Sequence, residues 1–334
     1  MKKTCIALAV LGSVAGAAQA QSAVTVYGKL DLGLQKQTGT PTSLESNHQS
    51  RLGFKGAEDL GGGLSAIFQI ESRFNADTGA VRFYTDPTGK LATNPLFGGP
   101  SFVGLKGGFG TVILGRTFNA VPGSAAIDPF EGDGVAGLNA LGNARNFNVR
   151  LSNTVNYISP SVKGFSASAQ AVLSETSGLK NGYGIAGAYD NGPISAGVGY
   201  QKLTQTAAGA DQADIWGLYG AYAFGPAKVL LGYDLMKTIV PGAAKSKNLV
   251  VGATYEIGAG LIKAAYNQTK DGLDTTITGD AATILDKLQK VSIGYQYNLS
   301  KRTSVYADIA RTKITNGGVS NTANGVGLGL THDF

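Results

Sequence analysis

The sequence predicts an all-β fold: a 16-stranded antiparallel β-barrel crossing a membrane. Three features point there. Apolar and polar residues alternate with period two along most of the 334 residues, which puts one set on each face of a strand. Short turn-forming connections alternate with long polar ones, as the two ends of such a barrel require. The composition, 43% hydrophobic and 15% charged with mean hydropathy +0.02, conceals any membrane protein of this type, because half of each strand is polar. Gly 49 and Tyr 14 are high counts. Glycine suits tight turns and close strand packing, and tyrosine suits a membrane interface.

Residues 1–20 read as a signal peptide. Lys2 and Lys3 are a basic start, Ile6 to Ala18 is an apolar run too short to span a bilayer, and Ala18-Gln19-Ala20 is an A-x-A cleavage site. The barrel then occupies residues 21–334. Without Lys2 and Lys3 the chain keeps 26 basic against 22 acidic residues, about +4. Cys5 precedes the apolar run and is the one cysteine, so disulfides and cysteine metal sites are excluded after processing. No cofactor or metal is expected. Beyond Ala20 no apolar run approaches the ~18 residues of a membrane helix.

Strands are expected near residues 23–34, 50–58, 64–75, 100–106, 110–118, 150–158, 165–175, 183–190, 193–204, 213–224, 227–238, 246–257, 261–270, 288–299, 303–314 and 324–334. Val291, Ile293, Tyr295, Tyr297 and Leu299 oppose Ser292, Gly294, Gln296 and Asn298; one such strand alone would equally fit a soluble sandwich. Asp59 to Gly63, Gly107 to Gly110, Asn191-Gly192-Pro193, Gly225-Pro226, Gly258-Ala259-Gly260 and Ser300-Lys301-Arg302 are tight connections. Gln35 to Gln49, Ala76 to Gly99, Asn119 to Asn148, Gln205 to Gln212, Ile239 to Lys245, Asp271 to Lys287 and Asn316 to Thr322 are long ones. An even strand number brings both termini to one side, and sixteen strands enclose a lumen wide enough for water.

Ser50-Arg51-Leu52-Gly53-Phe54-Lys55-Gly56, Ser101-Phe102-Val103-Gly104-Leu105-Lys106-Gly107, Gly115-Arg116 and Val26-Tyr27-Gly28-Lys29 resemble segments of the Gram-negative general porins, closest to the neisserial and β-proteobacterial type. The ending Gly329-Leu330-Thr331-His332-Asp333-Phe334 is similar to that group's close. The resemblance implies an outer-membrane homotrimer whose third long loop folds inward to narrow each pore. It further implies passive diffusion of small hydrophilic solutes, and outer-membrane lipid, lipopolysaccharide and the barrel insertion machinery as partners.

The connection between Phe118 and Arg150 falls where that loop should lie, and it carries Asp128, Glu131 and Asp133. Folded inward, these carboxylates would make one pore edge negative; on residues alone they fit a solvated surface loop as well. By the resemblance, Lys29, Arg51, Arg116 and Arg150 are the basic wall opposite. The period-two count independently turns Lys29, Asp31, Arg51 and Lys55 inward, and it does the same for Glu71 and Arg73, which can neutralise one another. Arg116 has an alternative role as a structural pair within the wall. Where the relatives carry an arginine before Ser101, this chain has Gly99-Pro100, which weakens the basic side. The balance of these groups points to mild anion preference.

Other functions lack support. His48 in the first loop and His332 in the last strand are poorly placed for a hydrolase, so no catalytic residue is expected. No basic stripe supports nucleic-acid binding. A substrate-specific porin with saturable solute binding would use lumen aromatics such as Tyr84, Phe97 or Phe130, and a secreted β-sandwich adhesin would share the strands but be soluble.

Overall fold

The computed structural model describes residues 23–81, 95–121, 127–132, 134–137, 150–204, 211–238, 245–274 and 283–334. Among them seventeen strands form one sheet. The first six are β1 (Ala23–Gln37), β2 (Ser43–Glu45), β3 (Arg51–Gly61), β4 (Leu64–Arg73), β5 (Ser101–Gly107) and β6 (Gly110–Phe118). Next come β7 (Arg150–Ile158), β8 (Phe165–Val172), β9 (Gly182–Asn191), β10 (Ile194–Thr204), β11 (Asp211–Phe224) and β12 (Ala227–Thr238). The chain ends with β13 (Ser246–Ile257), β14 (Gly260–Asp274), β15 (Thr283–Asn298), β16 (Thr303–Asn316) and β17 (Val319–Asp333).

Sixteen of these make a closed antiparallel ring in which sequence neighbours pair. Strand β1 closes it by pairing twice. Its first half, Ala23 to Lys29, lies against Ala57 to Arg51 of β3, and its second half, Lys29 to Gln37, against Asp333 to Gly325 of β17. Phe334 finishes the seam, because its backbone and that of Gly28 exchange hydrogen bonds of 3.0 and 3.1 Å. A Cβ on Gly28 would collide with the Phe334 ring and the Arg51 carbonyl, so glycine is what lets Phe334 dock there. Closure leaves no unpaired edge, the condition for a sheet in hydrocarbon.

The seventeenth strand, β2, is three residues inside the first long connection and pairs only with Gly33 to Gln35 of β1. It was not expected from the sequence. Two long connections are also shorter than expected. Strands β14 and β15 run on to Asp274 and from Thr283, and β16 and β17 meet at Gly317-Gly318, a tight hairpin with φ of 54° and 78°, so 316–322 is not a long loop. Polar residues there disguised strand, because above the lipid both faces of a hairpin are wet.

The two faces follow the alternation. Val26, Leu30, Leu34, Leu52, Val198, Leu218, Val251, Ile293, Ile309 and Leu328 are exposed on the outer face. Lys29, Asp31, Glu71, Gln201, Asp234, Asn248, Asn267, Lys290 and Asp308 are buried within. This inverts a soluble protein, as lipid outside and water inside demand.

Among the described residues, the apolar clusters of the interior form where the connection after β6 packs on the wall. Val121 joins Leu151, Val172, Leu203, Ile215 and Met236; Ile127 joins Leu230, Val250 and Leu288; Phe130, Val135 and Ala136 join Ala265. The described part of this connection therefore follows the inner wall from β7 round to β15. Its carbonyls are tied there as well: Ser292 Oγ donates to Ala136 O at 2.9 Å and Lys290 Nζ to Gly137 O at 2.7 Å.

Candidate functional site

On the inner face Lys29 of β1, Arg51 of β3 and Arg73 of β4 stand directly across from one another. Three like charges on adjacent strands repel unless answered. Lys29 Nζ meets Glu131 Oε2 from the inserted loop at 2.6 Å, the lysine side chain 7% and the glutamate 48% exposed. Arg73 Nε donates to Glu71 Oε1 at 2.9 Å and its Nη1 donates to Gln49. Arg51, between them, makes no ion pair with a described residue. Lys55 lies 5.2 Å over the Tyr27 ring, whose hydroxyl donates to Glu71 at 3.2 Å.

The acidic side is built by turn chemistry. Asp128 Oδ1 accepts the Phe130 amide at 3.0 Å, an aspartate capping its own turn, and Glu131 sits at φ 56° ahead of Gly132 at φ 90°. A left-handed glutamate is uncommon, and its pairing to Lys29 holds it there. Burial alone would raise the Glu131 pKa, but Lys29 first, then His48 and Arg51, hold it below the usual carboxylate value. Phe130, 0% exposed, anchors the turn with Lys263 Nζ 4.9 Å from its ring. Gly294 makes this possible, since a Cβ there would stand 2.8 Å from Phe130.

The first loop reaches inward too. Asp31 accepts the amides of Asn47 at 2.5 Å and His48 at 2.9 Å, and Thr331 Oγ1 at 2.7 Å. That carboxylate turns His48 against Tyr306, ring centroids 4.4 Å apart, with Nε2 4.0 Å from Asp308 Oδ2. Burial, then the Lys263 charge, pushes the His48 pKa down to about 4, so the ring is neutral near pH 7.

Of the residues expected from the sequence, Lys29, Arg51 and Glu131 come together, and Asp128 lies one turn away on the same loop. Arg116 and Arg150 do not join them. Strand β6 alternates without interruption, so Arg116 shares the outer face of Leu114 and Phe118; it donates to Ser152 Oγ at 3.0 Å and Gly98 O at 3.2 Å. Arg150 pairs with Phe118 and lies 4.2 Å over its ring. The cause is a bulge: Gly115 to Thr117 opposes Thr154 to Leu151, with Asn153 at φ 57°. The extra residue in β7 flips every side chain beyond it, turning Leu151 inward and Arg150 outward. Asp133 and Tyr84 lie outside the described residues. Phe130 is sealed beneath its own loop and unavailable to a passing solute, while Phe97 is half-buried.

Sequence reasoning missed Lys263, Lys290 and His48. Both lysines occupy inward positions of well-alternating strands, so the count that found Lys29 could have found them. The place of the absent arginine is Pro100, whose carbonyl accepts the Glu71 amide at 2.9 Å, so the inner wall there holds Glu71 without a second base.

The chain matches the Gram-negative porin family over residues 7–317. It is 32% identical to outer membrane porin protein 32 of Delftia acidovorans and 29% identical to the major outer membrane protein P.IB of Neisseria meningitidis, each alignment covering 100% of both chains. Among solved structures it superposes on the anion-selective porin from Comamonas acidovorans with TM-score 0.76 at 27% identity, covering 94% of this chain and 100% of that one. With Salmonella typhi OmpF the TM-score is 0.68 at 20% identity over 93% of this chain and 97% of that one, a likeness of fold. A closed barrel with an apolar skin, a polar lumen and this family match together place the chain in the Gram-negative porin family, as an outer-membrane pore for passive diffusion of small hydrophilic solutes.

Proposed function

We propose that this pore is weakly anion-preferring, with Arg51 as the group that sets the sign. The supporting observation is the inner row Lys29, Arg51, Arg73, in which the outer two charges are met by Glu131 and Glu71 and the middle one is not. An unanswered cation in a narrow aqueous neck concentrates anions, while the flanking ion pairs contribute a transverse field that orders water and favours dipolar solutes. Asp128 and Glu131 temper the preference. Solutes move down their gradients with no covalent step.

The mature protein starts at Gln21 after cleavage behind Ala20, reaches the membrane through the barrel insertion machinery and assembles as a homotrimer in outer-membrane lipid and lipopolysaccharide. Reversal potentials of the purified protein in a salt gradient test the sign. Anion preference is expected, and a clear cation preference would reject the assignment.

A further inference from the structure

Directly below the row Lys29, Arg51, Arg73, on the side of the short turns, the inner wall carries an aromatic ring. The register pairs Tyr27 of β1 with Gly53 of β3, and Gly53 with Glu71 of β4. The Tyr27 side chain lies across β3 and covers Gly53, where a Cβ would collide with the ring. Its far end is fixed, since the hydroxyl donates to Glu71 Oε2 at 3.2 Å and accepts from Gln69 Nε2 at 2.6 Å. A half-buried tyrosine backed by glycine and held at its tip presents one flat face to the lumen.

Two cations bracket that face. Arg51 and Lys55 flank Gly53 on the inner side of β3, each about 7 Å along the strand from it. Arg51 makes no ion pair with a described residue, and the exposed Lys55 holds its Nζ 5.2 Å from the ring centroid. The acid beside them, Glu71, is already answered by Arg73 at 2.9 Å and by the tyrosine hydroxyl. An exposed ammonium on a ring is held weakly, about as strongly as a second ring stacked in its place. An ion pair added at Arg51 therefore tips the balance toward a solute that carries both a ring and a negative charge.

Resting on the assignment of Arg51 as the open cation of the pore, we propose that Tyr27, Arg51 and Lys55 form a saturable site for aromatic carboxylates just below the neck. The solute ring stacks on Tyr27, its carboxylate pairs with Arg51, and the displaced Lys55 ammonium supplies a second counter-charge. An aliphatic carboxylate gains the ion pair without the stacking. Weak binding suits a pore, because a solute must leave as readily as it enters.

The test uses the full barrel in planar bilayers in potassium chloride, titrated with benzoate or with cyclohexanecarboxylate, which has the same charge and nearly the same size. The fall of chloride conductance is followed against probe concentration. Benzoate should reduce the wild-type conductance saturably, with a half-saturating concentration about fivefold below that of cyclohexanecarboxylate. Tyr27→Leu should abolish the difference between the probes, Tyr27→Phe should keep it, and Arg51→Gln should weaken both probes alike. Equal half-saturation by the two probes in the wild type would overturn the proposal without recourse to any variant. So would an undiminished difference in Tyr27→Leu, or benzoate binding indifferent to Arg51→Gln. Reversal potentials in chloride alone are recorded on the same preparations. An anion-side value with equal probes sinks the aromatic site and leaves the selectivity assignment standing, whereas a cation-side value rejects that assignment and the probe comparison still decides the site.

Discussion

Arg51 stands between two bases that already have acid partners, and it is the charge we propose sets the sign of the selectivity. Replacing it by glutamine should lower the anion-to-cation permeability ratio several-fold, since one unit charge a few ångströms from the ion path in water is worth about 1 kcal/mol to each ion, with opposite sign for the two, less after screening by salt. Reversal potentials in a salt gradient measure it, and an unchanged value would take Arg51 out of the neck. Glu131→Gln should act oppositely by releasing Lys29 from its 2.6 Å pair, raising anion preference in the same assay. His48 supplies a pH dependence. Its pKa falls from 6.5 to about 4 in the folded barrel, so below pH 6.5 the unfolded chain takes up a proton that the native state refuses. Stability contributed at neutral pH is thus lost between pH 6.5 and 4, by about 3 kcal/mol at most. Lys263 opposes the proton and Asp31 and Glu131 favour it, with burial outweighing them. Urea titrations of detergent-solubilised protein at pH 7.5 and 4.5 should show that loss, and His48→Gln should flatten it. At this scale Lys29, Arg51 and the Glu71–Arg73 pair were legible, because their strands keep the two-residue count. Arg150 was not, because a bulge carries no reliable mark in the sequence, and the burial of His48 depends on a contact with Asp31 from a neighbouring element.

The inserted loop, packed on the inner wall, is the element we propose sets the pore width. It is seated by Phe130 in a slot whose floor is Gly294, with Pro129 beside Gly252 and Val135 beside Gly325. Gly294→Val should crowd both the Asp308 carboxylate of β16 and the Phe130 ring, pushing the loop from its seat, so single-channel conductance should rise and thermal stability fall. Phe130→Ala leaves the wall unaltered and should loosen the loop by a similar route, at about 3–5 kcal/mol of packing. If neither change alters conductance, the loop does not form the neck. Strands were the most legible elements, since lipid on one side and water on the other enforce strict alternation. The hairpin at Gly317-Gly318 and the short β2 were less so, because beyond the membrane that constraint lapses. The seat of the loop was not readable at all: Ile127, Phe130 and Val135 mark an apolar stretch, but their partners come from β12 to β17.

For the molecule as a whole, one sheet closed by β1 and Phe334 separates hydrocarbon from water. The alternation and the turn pattern made that ring legible before any contact was known. The proposed selectivity depends on which charges find partners across the lumen, and that is decided only where the closed ring meets the inserted loop. The decisive measurement is single-channel recording of the purified protein in a planar bilayer under a salt gradient. The account predicts stepwise conductance with a reversal potential on the anion side. Bilayers left silent by protein that is soluble without detergent would contradict it.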